Sequence, residues 1–182
     1  METTLKTGAG NGQLVTGLFP NRQSAEVAYG GVTQRGYNSQ DVNLVMSDET
    51  RQHHFTDTTA GKETELGNKA AEGAGIGGAI GGTVGAIAAA VAAIGTSLVL
   101  PGLGLVIAGP IAAAVAGAGA GAAGGGLIGA LVGWGMPEER VKDYEEGVRK
   151  GGILMGLRAR NTEDAEYFEQ NWKGNQGQNV YR

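Results

Sequence analysis

Cysteine is absent from the 182-residue chain, which removes disulfides, thiolate chemistry and every cysteine-based zinc site. Proline is scarce at 4 residues beside 35 glycines, and those glycines follow no three-residue period, so a collagen helix is excluded. The net charge is −4, which argues against a dedicated nucleic-acid binder, since such a protein needs a concentrated basic face. The most telling absence is local. From Gly73 to Gly135 there is no Asp, Glu, Lys, Arg or His, and all the charges lie in the two flanks.

An uncharged stretch of about 63 residues is too long for one transmembrane helix and fits two helices with a turn. Pro101-Gly102 and Gly109-Pro110 bracket a short apolar connector, Leu103 to Ala108. The reading is therefore a helical hairpin, with arm one over Ala70–Ser97 and arm two over Pro110–Trp134. Inside the arms glycine recurs every fourth residue: Gly73, Gly77, Gly81 and Gly85 in the first, Gly117, Gly121, Gly125, Gly129 and Gly133 in the second. Residues four apart share a helix face, so each arm presents a groove where a second backbone can approach closely. Ile76, Ile80, Val84, Ile87, Val91, Ile94 and Leu98 set a ridge beside the first groove. This pattern is a glycine zipper, and these nine glycines are the candidate self-association residues.

The zipper cannot stand alone in water. Ala116 to Gly126 holds only Ala and Gly, six of them Gly, and each helical Gly costs about 1 kcal/mol relative to Ala. Either a bilayer, which forces backbone hydrogen bonds inward, or close packing on another arm has to supply the difference. The expected partners are thus other copies of the chain and a lipid bilayer. The alternatives are a soluble homo-oligomer, a shell or filament, with the hairpins in a shared apolar interior, and a ligand-sensing domain that uses its sheet. Substituting Gly121→Leu with Gly125→Leu is expected to abolish oligomers.

The flanks read as two halves of one α+β domain. Leu14–Phe19 is a strand, Asn21 an N-cap, Arg22–Arg35 a helix closed by Gly36, and Asp41–Met46 a second strand. After the hairpin, Glu138–Lys150 is an amphipathic helix with Tyr144 and Val148 on one face. Ile153–Ala159 is a strand, Asn161 an N-cap, Thr162–Trp172 a helix and Gln178–Tyr181 a short last strand. Gly17–Glu26 repeats as Gly156–Glu166 with one residue inserted. Two βαβ units suggest a ferredoxin-like sandwich split by the hairpin, with residues near 14 and 158 on neighbouring strands. The division is a flexible N-terminus over 1–12, a first half over 13–48, a polar linker over 49–69, the zipper hairpin over 70–136, and a helix plus second half over 137–182. Met1 to Gly12 has no apolar core, so no signal peptide is expected and both hairpin ends face the cytoplasm.

Val15-Thr16-Gly17-Leu18-Phe19, Arg35-Gly36-Tyr37 and above all Tyr144-Glu145-Glu146-Gly147-Val148-Arg149-Lys150-Gly151-Gly152 carry a resemblance over nearly the whole chain. It is similar to the bacterial general-stress-protein family, whose members have a domain like general stress protein 17M and the heat-induced stress protein YflT. The resemblance implies stress-linked expression and a glycine-zipper insertion, and it brings no catalytic residue.

Chemistry is otherwise thin. His53-His54 sits in the polar linker, where neighbours on an extended chain point apart and chelate poorly. Gly73-x-Gly75-x-x-Gly78 and Gly119-x-Gly121-x-x-Gly124 match a dinucleotide fingerprint in letters only, without the preceding strand or the acid about 20 residues on. Gly61-Lys62 lacks the rest of a P-loop. No enzyme activity, cofactor or metal is expected.

Overall fold

The computed structural model describes residues 12–55, 97–100 (backbone only), 104–112, 129 and 131–182. The chain is α+β. Among the described residues the strands are β1 (Gln13–Phe19), β2 (Val42–Ser47), β3 (Ser97–Leu100), β4 (Leu105–Ala108), β5 (Ile153–Ala159) and β6 (Gln178–Tyr181), and the longer helices are α1 (Arg22–Gln34), α2 (Asp48–Phe55), α3 (Glu138–Arg149) and α4 (Thr162–Gly174). The strands form one sheet in the order β3-β4-β2-β5-β1-β6, and every neighbouring pair is antiparallel. β1 and β2 are therefore parallel with β5 between them, and β5 and β6 are parallel with β1 between them. Each strand–helix–strand unit has opened to admit the central strand of the other. Leu14 pairs with Arg158, the adjacency expected from the repeat.

The repeat is stricter in three dimensions than in letters. β1 and β5 each have seven residues, and α1 and α4 each have thirteen. Asn21 and Asn161 both cap with extended backbone, accepting from Ser24 N–H and Asp164 N–H. Gly36 at φ 75° and Gln176 at φ 64° both close their helices. The offset is a constant 140 positions, so the one-residue insertion read from the letters is corrected: it aligned Gly17 with Gly156, whereas the ladder makes Thr16 the mate of Gly156. Those two mates face each other across the β1–β5 ladder. A Cβ on Gly31 would meet the side chain of Asn171, its own mate, at 2.7 Å. One pseudo-twofold axis runs through both contacts.

Two apolar layers sandwich the sheet. On one face α1 and α4 pack over Val15, Phe19, Met155 and Leu157, with Trp172 and Phe168 fully buried among them. On the other face α3 buries Val141, Tyr144 and Val148 against Leu18, Val45 and Leu154. That covering makes the apolar stripe of α3 a docking surface for its own sheet.

Two other expectations change. The connector Leu103–Ala108 is not the turn of a helical hairpin: β4 pairs with β2 and with β3 in unbroken register, so two strands join the sheet in the middle of the uncharged stretch. The polar linker begins late, because Asp48 to Phe55 is helical and buries Thr50 and Phe55. Residues 56–69, and most of arms one and two, lie outside the described residues.

Candidate functional site

Where the uncharged stretch leaves β4, the described residues form a built platform on the sheet, the pedestal. Gly109 turns the chain out of β4 at φ 108° and lies against Val42 O and Asn43, where a side chain would collide with backbone. Residues 110–112 are helical, and the first free N–H of that turn, Ile111 N–H, donates to Asn43 Oδ1 at 2.7 Å. Asn43 is only 4% exposed. Its amide end reaches Gly156 O at 3.5 Å, so a buried strand residue caps a helix 68 positions away.

The reach returns to the same rung. Asn43 and Gly156 are partners in the β2–β5 ladder, and the Trp134 ring lies on the bare Cα of Gly156, in the space a Cβ would occupy. Arg158 Nη2 donates to Trp134 O at 3.0 Å, while Leu131 and Met136 are buried beside Ile111 and Ala112. A straight helix from residue 111 to residue 134 would separate its ends by about 35 Å. Both described ends of the helix expected over Pro110–Trp134 are helical, at 110–112 and at 129 and 131–133, and they sit over a single pair of strand residues; the positions between lie outside the described residues.

Of the nine zipper glycines, Gly129 and Gly133 are described; Gly73, Gly77, Gly81, Gly85, Gly117, Gly121 and Gly125 lie outside the described residues, as do both fingerprint-like runs. Gly129 and Gly133 are exposed, and among the described residues nothing lies within 4 Å of the Cβ either would carry. Val132 beside them is 43% exposed. At this end Gly129, Gly133 and Val132 thus stand exposed among the described residues.

A buried hydroxyl network lies beside the pedestal on the same face of the sheet. Tyr144 donates to Asn179 O at 2.6 Å, so its contact with Thr16 Oγ1 at 2.8 Å must be one in which Thr16 donates. Burial pushes the Tyr144 hydroxyl well above the usual tyrosine range, and it stays neutral. Thr16, β6 and α3 are thereby tied at one point that no local sequence pattern could have revealed.

His53 and His54 end α2. They border a shallow polar cleft with Asn21, Thr50 and Gly151, and Arg22 donates to His54 O. Neighbours on a helix diverge as well, so the pair still does not converge on one metal. Among the described residues no group of three or more His, Cys, Asp or Glu could hold a metal ion, and no helix is long and apolar enough to cross a membrane.

Comparison of the chain with family models, with curated proteins and with solved structures gives no match.

Proposed function

We propose that this chain is a non-enzymatic, self-associating protein of the bacterial general-stress type. A ferredoxin-like sandwich, split after β2, holds out glycine-zipper reaches that pack against those of other copies. The observation that carries the reading is the pedestal. A fold whose buried Asn43 and Gly156 hold the two ends of an Ala/Gly segment at Ile111 and Trp134 has structural reason to present that segment in a fixed place.

The anchors also favour packing between copies over a spanning hairpin. Both ends of the second reach, Ala112 and Leu131, are buried in one cluster, leaving 18 residues between them, and crossing a bilayer and returning takes about 40. The first reach leaves from Phe55, buried under the sheet, and comes back at β3. Its uncharged part, 73–96, suffices for one crossing. The return would drag Asp57, Lys62, Glu63, Glu65, Lys69 and Glu72 through lipid, at about 2.5–3.5 kcal/mol for each charge near the centre.

The test is the assembly size of the full chain by sedimentation velocity, beside flotation of membranes after an alkaline carbonate wash. Unmodified protein is expected to sediment as a large species and to leave the membrane on washing. Gly129→Leu with Gly133→Leu should shrink the species while circular dichroism stays the same, because those positions have room. Unchanged size in that variant, or protein that floats and resists carbonate, overturns the reading.

A further inference from the structure

The sheet has two edges, and they are treated in opposite ways. β6 is blunted: it touches β1 only at Thr16–Tyr181 and Leu18–Gln178 with a register shift between them, and Asn179 sits at φ 48°. It ends on Arg182, held by Glu166 at 3.0 Å and Glu169 at 2.6 Å. Bulges, irregular backbone and edge charges are the devices that stop a strand from pairing with another molecule. β3 carries none of them. Ser97-Leu98-Val99-Leu100 pairs residue for residue with β4 and has no proline, glycine or charge. The nearest charges in the chain are Glu72 and Glu138. Among the described residues no strand lies on its outer side.

We infer that β3 pairs antiparallel with β3 of a second copy. A neutral strand meets its own copy without repulsion, and the main-chain donors and acceptors along its outer side match a twofold mate whatever its side chains. Antiparallel continuation of one sheet requires the twofold axis to stand normal to it. Both copies then present α3 and the second zipper reach on the same side. The contact is separate from the zipper: it makes a dimer with paired zippers, and zipper contacts join such dimers into larger species.

Because the chain has no cysteine, single cysteines at 97, 98, 99 and 100 report the contact without background. Strand mates at a twofold axis come within disulfide reach at one residue or two adjacent ones. Oxidation of the full chain should cross-link copies there at least about ten times faster than at the remaining positions. Val99→Lys should lose the dimer with the circular dichroism unchanged. In the Gly129→Leu, Gly133→Leu background the species left should be a dimer, and adding Val99→Lys should make it a monomer. No cross-link, equal cross-linking at all four positions, or a zipper variant that is already monomeric overturns the β3 contact. The last of these leaves the zipper reading standing. A zipper variant of undiminished size that still cross-links at β3 does the reverse.

Discussion

Where the loop after α1 meets the first turn of α4, Tyr37 is 3% exposed, donates to Asp164 Oδ2 at 2.7 Å and accepts from Arg160 N–H at 2.7 Å. Its ring stands edge-on to Phe168, with the Arg160 guanidinium 4.0 Å above it. Arg35 bonds Asp164 at 3.1 Å and covers Tyr167 at 4.2 Å. At the mate junction, 140 positions away on each side, Asn175 stands for Arg35, Gly177 for Tyr37, Ser24 for Asp164 and Val27 for Tyr167. There the loop after α4 and the first turn of α1 leave a shallow cleft between Gln23, Ser24, Val27 and Asn175, and Val27 is 44% exposed. Equal backbones have been closed unequally. The welded junction joins residues more than 120 positions apart, across the whole insertion, and so offsets the cost of closing that loop. The open junction spans the insertion too, between Ser24 and Asn175, and is left without such a network.

The largest effect should come from emptying the weld. Tyr37→Ala is expected to cost about 3–5 kcal/mol in urea unfolding. Tyr37→Phe should cost about 1–3 kcal/mol, since Arg160 N–H loses its acceptor and Asp164 one of its donors. Val27→Ala, on the open side, should stay within about 0.5 kcal/mol. Equal losses on the two sides would dissolve the contrast.

The helix crossing is next. Gly31 faces Asn171, whose Oδ1 is buried and has no hydrogen-bond partner among the described residues. Gly31→Ala pushes into that group and should cost about 1–3 kcal/mol. Because the two positions are mates on the axis, Asn171→Gly should restore most of the loss. The swapped pair Gly31→Asn with Asn171→Gly should fold nearly as well as the original. Failure of both rescues in a thermal melt would show that the helices do not exchange roles about this axis.

A smaller contrast is set by pH. Burial first, and for Tyr37 the neighbouring Asp164 as well, raises the hydroxyls of Tyr37, Tyr29 and Tyr144 above their ordinary values. A group raised in the folded state leaves stability untouched below its unfolded pKa of about 10 and removes it as pH climbs above that. Stability should be flat through neutrality and then fall, by up to about 1.4 kcal/mol per pH unit for each such tyrosine. Tyr37→Phe should shallow that fall. A slope unchanged by Tyr37→Phe would remove the weld from the alkaline transition.

Much of this scaffold was legible as letters because its signals are local. Asn21 and Asn161 before helices, Gly36 after one, and the apolar runs of β1, β2 and β5 follow from capping and periodicity alone. β3 and β4 escaped because Ser97–Leu100 and Leu105–Ala108 are four-residue apolar runs without alternation, which look the same at a helix end and in a strand. The turn signal Pro101-Gly102-Leu103-Gly104 between them was the available clue. α2 escaped because its charged surface carries only Thr50 and Phe55 as inward residues. The pedestal was the least legible part. Asn43 and Gly156 acquire their roles only from being opposite each other in a ladder, and Trp134, read only as the end of the second arm, is a lid on a glycine.

The finest test of the comparison is one residue in the loop of the open junction. Gln176 holds φ 64° where its mate Gly36 holds φ 75°, a conformation that costs a side-chain-bearing residue about 1 kcal/mol and glycine almost nothing. Gln176→Gly should therefore raise stability by about 0.5–1 kcal/mol, part of the gain being lost to the freer unfolded chain. Gly36→Gln should lower it by a similar amount, since the space around Gly36 is open and only its backbone angle objects. Opposite shifts of similar size in paired thermal melts would mean that the two loops differ in side chains and share one backbone. A loss at both positions would mean that the amide of Gln176, at the rim of the cleft, contributes more there than its backbone costs, and the open junction would then be closed by a contact of its own.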